Sequence, residues 1–196
     1  MYGNPSLRKT TSTFFSSPKC AVAIPIDSIL QRDALLQASL DPSVRTIHYR
    51  KTPNLYGPPA AVNGVVLQRF DGDFLLIACE ARLRRTDKEY AGLADVLVSN
   101  GLRLLERDAL DIRREPLFSN TRAVWHYERF VVSVHNRLRI AATLAEDGPQ
   151  SILELEERAR PTCDIIGAVC ALACEALVEL DIDDIPLGPR TMVRAR

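Results

Sequence analysis

Residues 62–82 read VNGVVLQRFDGDFLLIACEAR, and this stretch decides the architecture. Its first part, 62–70, is an apolar, β-branched run. Asp71-Gly72 is a tight-turn dipeptide, and 73–80 is nearly all apolar through FLLIAC. Two such runs around Asp-Gly predict a β-hairpin. The second run is apolar at both parities, which predicts a central strand buried on both faces. Glu80 and Arg82 leave that strand at the same parity and therefore share a face.

The pattern extends outward from the hairpin. Before it, residues 26–40 carry Ile26, Ile29, Leu30, Leu36 and Leu40 at helical spacing, with Pro25 at the start and Asp41-Pro42 as the stop. Residues 44–49 alternate like a strand, and Pro53, Gly57, Pro58 and Pro59 form a loop. Residues 1–19 are polar and rich in Ser and Thr, which predicts an arm, with Phe14 and Phe15 able to dock on the body.

After the hairpin, 87–100 predicts a helix closed by Gly101. Residues 102–105 and 111–114 predict short strands around a turn, and Glu115-Pro116 closes the unit. Residues 122–145 predict a mainly helical segment broken by Asp147-Gly148-Pro149. Ser151 with Glu154 is a capping-box pattern for a short second helix. A third helix covers 163–179, and 181–194, with Pro186, Gly188 and Pro189, predicts a hairpin.

The order is therefore α β β β α β β, then three helices and a hairpin. It predicts an N-terminal arm over 1–19, an α/β domain over 20–121, and a small helical winged-helix-like module over 122–196.

Composition excludes several classes. With 196 residues, 46% hydrophobic and 26% charged, the chain has the balance of a globular protein able to bury a core without staples. Lys plus Arg and Asp plus Glu are both 25, for a formal net charge of +0. Bulk charge thus does not mark a nucleic-acid binder, and any DNA contact needs a local basic patch. No apolar stretch reaches membrane-spanning length and no secretory h-region is seen. The five cysteines, Cys20, Cys79, Cys163, Cys170 and Cys174, form no disulfide framework and no Cys-x-x-Cys pair. They are expected as reduced thiols of a cytoplasmic protein.

Residues 12–130 resemble the TnsA family of transposon end-cleaving endonucleases. The resemblance rests on Ser17-Pro18-Lys19, then Asp27-Ser28-Ile29-Leu30-Gln31-Arg32-Asp33, then Asp41-Pro42-Ser43-Val44 and, more loosely, Lys51-Thr52-Pro53. It continues through the hairpin to Ile112-Arg-Arg-Glu115-Pro116 and Asn120. The resemblance implies a restriction-endonuclease-like mixed sheet flanked by helices, of the PD-(D/E)xK kind. In such sites a helix Glu, a strand Asp and a Glu-x-Lys hold Mg²⁺, which activates water against a phosphodiester.

Carried over by position, the helix Glu falls at Gln31 and the strand Asp at Asn63. Glu80 lies in the expected place 17 residues beyond Asn63, and the Lys falls at Arg82. Two amides cannot supply anionic oxygens, so the resemblance implies a degenerate site with no metal bound. The implied function is an inactive or nearly inactive subunit that binds DNA or assembles with a transposase-type machine and its regulatory ATPase, as monomer or homo-oligomer. Lys19, Arg82, Arg84, Arg85, Arg190 and Arg194 are the candidate DNA contacts. An active, Mg²⁺-dependent endonuclease using Asp27 or another carboxylate with Glu80 is the first alternative. A transcription regulator or a protein scaffold without DNA contact is the second.

Other features read as structure. Cys163, Cys170 and Cys174 lie on one helical face, as small buried side chains do. His48, His126 and His135 are scattered without an oriented partner. The third helix of the C-terminal part offers Asp164, Glu175 and Glu179, a poor surface for reading a major groove.

Overall fold

The computed structural model describes residues 13–51 and 62–196. Most of the predicted arm and the Pro-rich loop with Pro53, Gly57, Pro58 and Pro59 lie outside the described residues.

The chain starts with two short strands, β1 (Thr13–Phe15) and β2 (Ile24–Ile26), paired antiparallel. Part of the predicted arm is therefore a strand, and Phe15 is buried with its ring 5.8 Å from that of Trp125. Helix α1 (Ile29–Leu40) starts three residues later than predicted. Ser28 caps it by accepting from Gln31 N at 3.0 Å, while Ile26 remains in the strand. A side-chain oxygen that satisfies a free helix N–H fixes a helix start more firmly than apolar spacing does.

A four-stranded sheet follows: β3 (Val44–Arg50), β4 (Gly64–Arg69), β5 (Gly72–Cys79) and, after helix α2 (Asp87–Ser99), β6 (Arg103–Asp108). Its order is β3-β4-β5-β6. The first two pairings are antiparallel and β5–β6 is parallel, with Leu67 opposite Phe74 and Leu76 opposite Leu105. The hairpin predicted at Asp71-Gly72 is the β4–β5 turn. Gly101 takes φ +67° just past α2, a left-handed conformation that glycine adopts without strain.

Strand parity divides the core. Val65, Leu67 and Leu76 face α1 together with Val44 and Ile47. Val66 and Leu75 face the other way, onto Leu97 of α2 and Leu102. The sheet is thus a middle layer between two helices, and β5 is covered on both faces as its sequence predicts. The protein is mixed α/β with an open four-stranded mixed sheet.

Residues 111–114 are not a strand. Helix α3 (Ala109–Ile112) follows β6 directly, because Asp108 and Asp111 form a reciprocal capping box. The predicted helical segment 122–145 is two helices, α4 (Leu117–His126) and α5 (Val134–Asp147), the second capped by Ser133, which accepts from Asn136 N.

Then come β7 (Gln150–Ser151), α6 (Ile152–Ala159), α7 (Ile165–Cys174), β8 (Val178–Leu180) and β9 (Met192–Ala195). Helix α7 is shorter than predicted, since the chain turns at Ala176 with φ +59° and enters β8. The last hairpin is wider than 181–194 suggests. Strand β8 precedes that segment and β9 covers its last three residues, and a third strand joins them in the order β7-β9-β8. A core of Ile140, Leu144, Leu155, Val169 and Val193 holds this part together. Helix α4 straddles residue 121, the predicted module boundary, and packs on both α1 and α7. No described helix is long and apolar enough to cross a membrane.

Candidate functional site

The C-terminal ends of the parallel pair β5–β6 lie side by side, because Cys79 is level with Asp108. In open α/β sheets the loops leaving such ends form a natural crevice. The loop after β5 carries Glu80, Arg82, Arg84 and Arg85. The end of β6 and the start of α3 carry Glu106, Asp108 and Asp111.

Their charges are paired. Arg82 Nη2 lies 2.6 Å from Asp111 Oδ2, and its Nε lies 3.3 Å from Asp108 Oδ2. Arg85 Nη1 donates to Glu106 Oε2 at 2.5 Å, and its guanidinium lies 5.6 Å from the Tyr90 ring centroid. The Arg85–Glu106 pair is largely shielded, with side-chain exposures of 13% and 10%. Hydrogen bonding to the facing guanidinium holds the carboxyls of Glu106 and Asp111 below their ordinary range. Cys79 lies beside them with Sγ 3.9 Å from Glu106 Oε1, and burial together with the Glu106 charge pushes its thiol up. A thiol so placed is a poor nucleophile.

The candidate site residues do not share one arrangement. Gln31 is committed to the start of α1, where its Oε1 accepts from Asp27 N at 2.7 Å. Asn63 is exposed just before β4. The β4–β5 register, continued from Val65 opposite Leu76, brings Asn63 level with Ala78 and not Glu80. Glu80 is exposed past the end of β5 and has no ion pair or hydrogen bond among the described residues.

The candidate DNA contacts also diverge. Lys19 is 5% exposed, and its ammonium donates to Asp41 O at 2.5 Å and Ala38 O at 3.4 Å at the C-terminus of α1. A buried ammonium satisfied by carbonyls is withdrawn from a phosphate surface. Arg82 and Arg85 are neutralised as described. Arg84 and Arg190 are exposed, and Arg194 lies on β9. Nine of the ten residues of α7, all but Ile166, are buried, so this helix presents no reading surface.

Sequence reasoning missed Glu106, Asp108 and Asp111. Asp108-Ala-Leu-Asp111 carries the capping signal that places two of them. The partnership with Arg82 and Arg85 spans more than 20 residues and has no local signature.

The carboxylates of Glu106, Asp108 and Asp111 at the strand ends are engaged by arginine. Among the described residues, no three His, Cys, Asp or Glu side chains gather as metal ligands. All five cysteines are free. No protein-family model, no curated protein and no solved structure matches this chain.

Proposed function

We propose that this protein is a non-cleaving relative of the TnsA-like, restriction-endonuclease-like scaffold that serves as an assembly subunit of a DNA-processing machine. The observation that carries this reading is the pairing of Arg82 with Asp108 and Asp111 at the strand ends where a phosphodiester-cleaving site is expected. A guanidinium held by two carboxylates neutralises the anionic oxygens that a metal would need. It also spends the positive charge that would meet a developing phosphorane.

The scaffold supports the reading. The open four-stranded mixed sheet lying between α1 and α2 is consistent with the mixed sheet flanked by helices that the resemblance implies. The C-terminal run of helix, strand, two helices and two strands, with the first strand paired to the last, supports a winged-helix-like module. The buried α7 favours a structural or protein-contact role for that module over groove reading. Direct DNA contact, where present, falls to the exposed Arg84, Arg190 and Arg194.

A supercoiled-plasmid nicking assay with Mg²⁺ and Mn²⁺ tests the proposal beside a salt-dependent binding titration. No nicking is expected. Any binding to duplex DNA should weaken in Arg84→Ala and Arg190→Ala and leave a shallow salt slope. Nicking that disappears in Glu80→Ala would replace this reading with an active endonuclease.

A further inference from the structure

The C-terminal turn of α1, one face of the sheet and residues 179–183 enclose a cavity of about 470 Å³. That lies within the roughly 300–1,000 Å³ of small-molecule sites. None of Arg82, Arg85, Glu106, Asp108 and Asp111 lines it, although Arg107 of the cavity donates to Asp111 O beside that cluster.

Its lining charges are of both signs. Arg69, Arg107, Arg114 and Arg194 contribute guanidinium groups, and Asp41, Glu179, Asp181 and Asp183 contribute carboxylates. Arg69 is paired with Asp71, and Asp41 accepts from Ser43 N at 2.8 Å. None of Arg107, Arg114, Asp41, Asp181 and Asp183 forms an ion pair among the described residues. The hydrogen bond of the Arg107 guanidinium goes to a backbone carbonyl, Asp111 O, at 3.1 Å. Burial lowers its pKa below the usual guanidinium value. Burial and the charges of Asp181, Asp184 and Asp41 raise that of Asp183. Within the cavity the Asp41 charge acts on Arg107 and the Arg114 charge on Asp183. Gln37, 5% exposed, adds an orphaned acceptor: its Nε2 donates to Ile112 O at 2.7 Å and its Oε1 has no partner. Buried polar groups left unsatisfied cost free energy, which a ligand recovers by pairing with them.

We propose that this cavity binds a small zwitterion of amino-acid or dipeptide size, with its carboxylate on Arg107 and Arg114 and its ammonium on Asp41, Asp181 and Asp183. A polyanion would meet the carboxylates of Asp41, Glu179, Asp181 and Asp183, and a polycation would meet the guanidinium groups of Arg69, Arg107, Arg114 and Arg194. Only a ligand carrying both signs is attracted throughout, and arginine suits the planar carboxylate end.

The test is calorimetric titration and thermal shift of the full chain with the 20 amino acids and a panel of dipeptides. AMP and spermidine serve as ligands of a single sign. At least one zwitterion is expected to bind and raise Tm, as ligands of the native state do. Its N-acetylated and C-amidated forms should each bind at least tenfold more weakly. Arg114→Gln and Asp183→Asn change exposed side chains, so both should keep the circular dichroism of the parent while losing tenfold or more in affinity. Arg139→Gln, outside the cavity, should change nothing. The amino-acid and dipeptide arms distinguish the two ligand sizes. The proposal is overturned if no zwitterion binds, if capped and free ligands bind equally, or if AMP or spermidine alone binds and loses affinity in these variants.

Discussion

A lysine ammonium removed from water needs acceptors, and Lys19 finds them in two carbonyls at the end of α1. Burial still dominates and lowers its pKa to about 8, with Arg196 adding to the effect. The unfolded chain holds this proton up to the ordinary lysine value, so between pH 8 and 10.5 it binds more protons than the native state at this residue. The contribution of Lys19 to stability therefore rises with pH across that window. Urea unfolding of the parent and Lys19→Met should diverge in favour of the parent as pH rises from 8 to 10.5; parallel curves would show an unshifted lysine. Ala176 poses a simpler residue-scale case. Its φ of +59° is costly for a side chain bearing Cβ. Ala176→Gly should raise stability by about 0.5–1 kcal/mol, read as a higher urea midpoint. Neither property is legible in the sequence, because a lysine or an alanine looks the same whether its neighbours bury it, twist it or leave it in water.

At the scale of elements, capping chemistry was the most legible signal. The Ser151–Glu154 box predicted from spacing caps α6, with Ser151 N donating to Glu154 Oε2 at 2.9 Å. Ser151→Ala should cost about 1 kcal/mol, measurable by chemical denaturation. Helix α7 depends on a closer fit. A Cβ built on Gly167 would lie 2.8 Å from Asp164 Oδ2, the oxygen that caps this helix, and 3.1 Å from the Tyr127 ring. Gly167→Ala is expected to lose roughly 1–3 kcal/mol through displaced cap and overpacking, and an unchanged midpoint would contradict that geometry.

The strand-end acids add a pH dependence of opposite sense to that of Lys19. Glu106 and Asp111 are held below the ordinary carboxylate range by Arg85 and Arg82. Their contribution is complete above that range and is lost as pH falls through their depressed native values. Stability should therefore fall from about pH 5 to pH 3, and Glu106→Gln should flatten that fall. Two of the four positions carried over from the resemblance proved to have local duties. Gln31 closes the start of α1 and Arg82 is tied to α3. Residue type showed that the positions had changed, while their present work depends on groups far away in sequence.

For the whole molecule, α4 is the joint. Trp125 packs against both major cores and donates from Nε1 to Leu36 O at 3.2 Å. Leu40 of α1 reaches the C-terminal core from the other side. The two parts should therefore unfold together, and Trp125 is the single tryptophan of the chain. Its fluorescence and the far-ultraviolet dichroism should give coincident transitions. Trp125→Phe should lower stability while broadening or splitting the dichroism transition, since it removes the bond that ties α4 to α1. The sequence by itself determined the central hairpin, the buried strand and the helix that follows it. Those features follow from apolar periodicity, turn dipeptides and caps, which act within a few residues. Tertiary structure alone decided which guanidinium meets which carboxylate, where Lys19 is buried, and that a charged cavity opens between the sheet and residues 179–183. Such pairings depend on distances set only when remote strands and helices close around a shared core.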